Sequence, residues 1–149
     1  MQPRTDELRV ASFADLDTRT LYELLKLRCE VFVVEQECAY LDVDGRDTDL
    51  SARHVWLARG GEPVAYLRIL GGQDGTQRIG RVAVARAARG GGLAGRLMDE
   101  AIEIVGNRPA VLDAQTPLVG FYERYGFSAA GPEFLDDGIP HVPMGRPAP

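Results

Sequence analysis

The chain is predicted to fold as an α/β protein, a mixed sheet flanked by helices. Three observations predict this. Short runs of apolar residues with strand length recur at Leu8 to Phe13, His54 to Ala58, Pro63 to Leu70, Thr76 to Val84 and Val111 to Ala114. Two longer segments, from Arg19 to about Glu37 and from Gly92 to Val105, place their apolar residues in steps of three and four. Glycine pairs and Asp-Gly dipeptides separate them, as turns require. Runs of strands interleaved with helices give a sheet covered by helices.

Taken in order, Leu8 to Phe13 is the first strand. Asp15-Leu16-Asp17-Thr18 is a turn and helix cap. The helix from Arg19 carries Leu21, Leu24, Leu25, Leu27, Val31 and Phe32 toward a core. It is expected to break near Val33, because Val31-Phe32-Val33-Val34 is rich in β-branched residues. Cys38 to Ser51 is an Asp-rich loop without periodicity. Its carboxylates resemble a calcium loop only in part: counting from Asp42 or Asp44, the twelfth position is Arg53 or Val55, not Glu.

A meander of three strands follows, with turns at Arg59 to Glu62 and Gly71 to Gly75. The helix from Gly92 sets Leu93, Leu97, Ala101 and Ile104 on one stripe. After Val111 to Ala114, Pro117 starts a helix that reaches Tyr125, and Gly126 caps it. Phe127 opens another extended piece. Asp136 to Pro140 is a turn, and His141 to Met144 is a last edge strand. The order is β-α-β-β-β-α-β-α-β-β.

At 149 residues the chain is long enough for one domain with a proper core. No apolar run approaches the roughly 20 residues of a membrane span, and no apolar signal segment follows Met1. A cytoplasmic protein is expected. Cys29 and Cys38 match no metal or redox spacing and are expected as free thiols. The two His and two Cys match no zinc pattern. A net charge of −5 argues against a nucleic-acid surface. The charge is uneven, however. Residues 76–96 hold five Arg and no acid, which suits a small anionic ligand. Residues 1–50 hold twelve Asp/Glu against six Lys/Arg, which would tolerate a cationic substrate such as an amine.

The stretch from Ile79 to Met98 runs from strand through Arg89-Gly90-Gly91-Gly92 into a helix. Glycines let backbone N–H groups point inward, and the helix start favours negative charge, so this order suits a phosphate. The segment resembles the acyl-CoA-binding motif of the GNAT superfamily of N-acetyltransferases, with Arg89, Gly92 and Ala94 as its core. Phe121-Tyr122-Glu123-Arg124-Tyr125-Gly126-Phe127 resembles that superfamily's second signature. Leu24 to Gln36, Cys38, Tyr40, Asp44-Gly45, Asp47, Ala114-Gln115 and Gly138 to His141 resemble its ElaA-like subgroup.

The resemblance implies a mixed, mostly antiparallel sheet whose central strands splay apart around an acyl-CoA. It implies backbone contacts from Val82, Ala83 and Val84 to pantetheine. Arg89, Gly90, Gly91, Gly92 and Ala94 would hold the diphosphate, and Tyr122 would serve as general acid beside the thioester sulfur. The three consecutive glycines make a looser turn than most such motifs.

The chemistry expected is direct transfer of acetyl from acetyl-CoA to a small amine or peptide amine, with no metal. A backbone N–H near Val84 would polarise the carbonyl. Glu35, His54 and His141 are the candidate bases, with a water relay as the alternative. Arg28, Gln36 and Gln115 are candidates for the acceptor pocket; Arg28 could instead pair with an acid of the Asp42 to Asp49 loop. Tyr125 is expected to pack, and Trp56 to be core or pocket wall. Other readings are a non-catalytic acyl-CoA sensor, an interaction protein with an empty turn, and an acyltransferase using an acyl-carrier protein. The last arises because Arg28-x-x-Val31-Phe32 also resembles acyl-homoserine-lactone synthases. A homodimer is a further expectation.

Overall fold

The computed structural model describes residues 6–149. Strand β1 is Glu7–Ala11, helix α1 Thr18–Arg28, β2 Arg53–Arg59, β3 Glu62–Gly71 and β4 Gln77–Val84. Helix α2 is Leu93–Val105, β5 Ala110–Gln115, α3 Val119–Glu123, β6 Ser128–Ala129, β7 Phe134–Asp136 and β8 Ile139–Arg146. One sheet joins them in the order β1-β2-β3-β4-β5-β8-β6, with β7 also on β8. Every pairing is antiparallel except that of β4 with β5.

Both faces of the central strands are covered, so the strands read as almost continuous apolar runs. On one face Val55, Leu57, Leu67 and Ile69 meet Leu93, Leu97 and Ala101 of α2. On the other, Trp56, Tyr66 and Ala83 meet Leu24, Leu27 and Phe32. Trp56 is therefore core. Asp17 caps α1 by accepting the amide of Thr20 at 2.7 Å.

Several elements differ from expectation; β7 was not expected, and the helix from Pro117 is a 3₁₀ turn at Thr116–Leu118 followed by the short α3. The first helix does not break at Val33; from Cys29 to Glu35 it widens, so that the amide of Gln36 donates to the carbonyl of Val31, five residues back. The valine run crowds a regular helix, and the wider turn relieves it. Phe13–Asp15 is a short 3₁₀ turn rather than the end of β1. The last strand is longer than His141 to Met144, and it lies inside the sheet between β5 and the short β6 and β7. Its prolines argue for an edge, but the carbonyl of Pro143 still accepts from Ala130 at 2.8 Å.

Candidate active site

Strand β4 stays paired with β3 through Val84, but with β5 only at Gln77–Ala110 and Arg78–Val111. Beyond Arg78 the two parallel strands part. A cleft of about 260 Å³ opens there, walled by Gly80, Arg81 and Val82 on one side and Leu112, Asp113 and Gln115 on the other. Past Arg78, β4 groups that point away from β3 have no strand partner among the described residues and are open to an extended ligand. A bulge causes part of the parting. Two β4 residues, Arg81 and Val82, oppose the single β3 residue Leu67, and Arg81 takes φ 55°. A bulge bends its strand and increases the twist. Of the three residues expected along pantetheine, Val82 lines the cleft, while the side chains of Ala83 and Val84 pack into the two cores.

The end of β4 leads through a 3₁₀ turn at Arg86–Ala88 into Arg89 to Gly92 and then α2. The amides of Gly90, Gly91 and Gly92 have no backbone partner among the described residues. Gly90 and Gly92 have φ 86° and 75°, yet a Cβ on either would meet nothing within 4 Å. These glycines serve the path of the backbone, and the space before them is open. Ala94 follows on the first turn of α2, half-buried. One packing constraint inside α2 was hidden in the sequence: a Cβ on Gly95 would lie 3.1 Å from the Tyr125 hydroxyl, which donates to the Gly95 carbonyl at 3.3 Å. Tyr125 thus packs α3 onto α2.

Tyr122 is 6% exposed and faces the cleft. Its ring meets Phe121 and Phe127 edge-on, at 5.0 and 6.5 Å between centroids. Its hydroxyl has no hydrogen-bond partner among the described residues and is not fully occluded, so it opens on the cleft. Burial pushes the phenol up to about 12.

The three candidate bases separate. His54 is 1% exposed and lies outside the cleft. Nε2 faces the Asp47 carbonyl at 3.0 Å and must donate there, so Nδ1 accepts from the Tyr66 hydroxyl at 2.6 Å. Both nitrogens are consumed, which removes His54 as a base. Glu35 is ion-paired with Arg89, and that guanidinium holds its carboxyl below the usual range. A carboxylate so stabilised is a poor base. His141 lines the cleft; its Nδ1–H donates to the Ile139 carbonyl at 2.7 Å, which leaves the Nε2 lone pair for a ligand.

Gln36 and Gln115 also line the cleft, joined by a 3.2 Å hydrogen bond from Gln115 Nε2 to Gln36 Oε1. That bond ties the end of the widened helix to the end of β5 across the opening. Arg28 does not belong with them. It is 1% exposed and spends its guanidinium on Asp42 Oδ2 at 3.0 Å, Asp47 Oδ1 at 2.7 Å and the Asp42 carbonyl at 2.7 Å. The loop pairing suggested for Arg28 is the one observed.

The same network extends through residues that sequence reasoning did not single out. Arg68 takes both oxygens of Asp44 at 2.9 Å and Asp47 Oδ1 at 3.0 Å. Arg81 pairs with Asp42 and Asp44, at 3.0 and 3.3 Å, and lies over the Tyr40 ring. The Asp-rich loop is therefore clamped to α1, β3 and the β4 bulge, its carboxylates held by arginines. A signal was present: Arg68 interrupts an otherwise apolar strand, and a charge buried there must be paired. Also unforeseen, Asp136 and Asp137 at the β7–β8 turn line the cleft.

Among the described residues no group of three His, Cys, Asp or Glu side chains is placed to hold a metal ion. Both cysteines are free thiols, and among the described residues no helix is long and apolar enough to cross a membrane.

Comparison with known proteins agrees with this geometry. Residues 28–146 match the family model described as an acetyltransferase (GNAT) domain. A UPF0039 protein of Mycobacterium tuberculosis is 50% identical over 147 residues, covering 96% of this chain and 94% of its own. Protein ElaA of Escherichia coli is 41% identical over 139 residues, covering 89% and 91%. The crystal structure of an acyl-CoA N-acyltransferase from Pseudomonas aeruginosa superposes with a TM-score of 0.91 at 42% identity, covering 95% and 99%.

Proposed function

This chain belongs to the GNAT acetyltransferase family as an ElaA-like N-acyltransferase, and from that premise we propose that it moves acetyl from acetyl-CoA to a primary amine within one catalytic domain. The observation that carries the reading is the open β4 edge beyond Arg78 with the Tyr122 hydroxyl facing the same gap. An extended pantetheine arm would lie along that edge at Val82 to Val84. The diphosphate would meet the free amides of Gly90 to Gly92, with Arg89 and Ala94 beside it.

The acceptor would enter beside Gln36, Gln115 and His141. Its neutral nitrogen forms a C–N bond to the acetyl carbon, and a backbone N–H near Val84 stabilises the oxygen as charge develops. The C–S bond breaks, and the sulfur leaves with the electron pair and takes the Tyr122 proton. The surplus amine proton passes to His141 Nε2, directly or through water. A phenol raised to about 12 is a weaker acid than tyrosine in water. The thiolate leaves into the same low-dielectric cleft, so its proton affinity rises with that of its partner.

The test is an amine-panel assay reporting free CoA, run beside a CoA titration. Thiol release that depends on an amine supports the reading. CoA binding without release for any amine would leave an acyl-CoA sensor, and no binding would leave the turn without a ligand.

A further inference from the structure

The cleft wall holds three arginines and three aspartates, but the ion pairs do not join them one to one. Its cations are all paired: Arg68 with Asp44 and Asp47, Arg81 with Asp42 and Asp44, and Arg78 with Asp113 at 3.2 Å. The remaining charged side chains of the lining are Asp136 and Asp137, and neither has an ion-pair partner among the described residues. The acidic N-terminal third does not supply this charge, because Asp42, Asp44 and Asp47 are neutralised by arginines. Asp136 and Asp137, both exposed, are thus left as two carboxylates on the cleft wall without an ion-pair partner among the described residues.

A second observation marks that space as a ligand site. Tyr122, more than nine-tenths buried, presents an unpartnered hydroxyl to the same cleft. Burial and the nearby Asp137 carboxylate push the Cys38 thiol up, and Cys38, 4% exposed, is part of the cleft wall.

We infer that the acceptor is an aliphatic diamine or polyamine whose second, cationic group is held by Asp136 and Asp137 while its other nitrogen reacts beside His141. This rests on the N-acetyltransferase reading of the site. The spacing supports it. Asp136 pairs with Ile139 on β8, and His141 lies two residues further along the same face. Asp136 and His141 are therefore diagonal neighbours across β7 and β8, roughly 7–8 Å apart at the backbone, close to the separation of two amines joined by four or five methylenes. An acceptor with a carboxylate at that distance would be repelled.

The experiment measures free-CoA release from acetyl-CoA with matched acceptors: cadaverine against pentylamine, and putrescine against butylamine. The diamine is expected to exceed its monoamine in kcat/KM by about tenfold or more, as for charge-assisted hydrogen bonds. In the Asp136→Asn/Asp137→Asn variant that ratio should fall toward one. Asparagine keeps the positive φ of 50° at position 137 accessible. Equal use of diamine and monoamine by the unaltered protein overturns the inference and leaves the acetyltransferase reading standing. No CoA release with any amine tested overturns that reading instead. Calorimetry of cadaverine against pentylamine then decides the inference: preferential diamine binding, lost in the variant, supports it, and equal binding sinks it.

Discussion

The guanidinium of Arg89 grips the carboxylate of Glu35 with two prongs, Nη1 to Oε2 at 2.6 Å and Nη2 to Oε1 at 2.7 Å. Arg89 opens the glycine turn before α2, and Glu35 ends the widened helix that carries Phe32 and Gln36 to the cleft. A diphosphate bound at the turn, as proposed, would compete with Glu35 for the same guanidinium. Glu35→Gln is therefore expected to tighten CoA binding by about twofold to fivefold at low salt, the modest effect of an exposed ion pair. The gain should shrink as salt rises. Calorimetry at two ionic strengths measures this, and an unchanged affinity would mean that Arg89 is not shared.

Tyr122→Phe keeps the ring contacts with Phe121 and Phe127 and removes only the hydroxyl. Turnover is expected to fall about tenfold to a thousandfold with little change in acetyl-CoA affinity. Steady-state kinetics beside a binding titration separates the two. Full turnover in the variant would strip Tyr122 of the acid role.

Arg28→Met leaves Asp42 and Asp47 buried with one cation fewer. Removing one member of a buried ion pair costs about 3–5 kcal/mol. Urea unfolding should show that loss. A loss under about 1 kcal/mol would mean that the pair nearly balances its own desolvation.

The stability of the protein should fall in two steps as pH drops. Burial holds His54 below its ordinary value of 6.5, with Arg28 and Arg68 acting the same way. The unfolded chain then binds a proton that the folded chain refuses, so stability is full above 6.5 and declines as pH falls below it. His54→Gln should flatten that first step in a thermal-melt series. Asp44 and Asp47 are held below the usual 3.8 by their arginines, against the opposing effect of burial. Their contribution is present above 3.8 and lost only as pH falls further, so the acid step should survive in the variant. A first step of equal size in both proteins would remove His54 as its source.

Much of the architecture was legible because it is local. The step pattern of α2, the glycines of the 89–92 turn and the cap at Asp17 each depend on residues a few positions apart. The widened turn after Arg28 was half legible: the valine run announced trouble, but its outcome depended on what the helix end packs against. The placement of β8 was not legible, since its prolines argued for an edge while its neighbours were decided by strands far away in the chain.

The site divides in the same way. Arg89 to Gly92 and Tyr122 stand out in the sequence, because a glycine turn at a helix start and a helix-borne phenol are built from contiguous residues. His54 and His141 could not be told apart in one dimension, since both are lone histidines beside strands. Folding placed one under the Asp47 loop, with both nitrogens consumed, and the other on the cleft with one nitrogen free. The same holds for the acids: twelve carboxylates among residues 1–50 look like the source of the charge, but arginines from three strands or helices neutralise those nearest the cleft. Composition counts charges, and only three-dimensional proximity sets which remain unpaired, because Coulomb energy depends on distance through space and on burial, not on order along the chain.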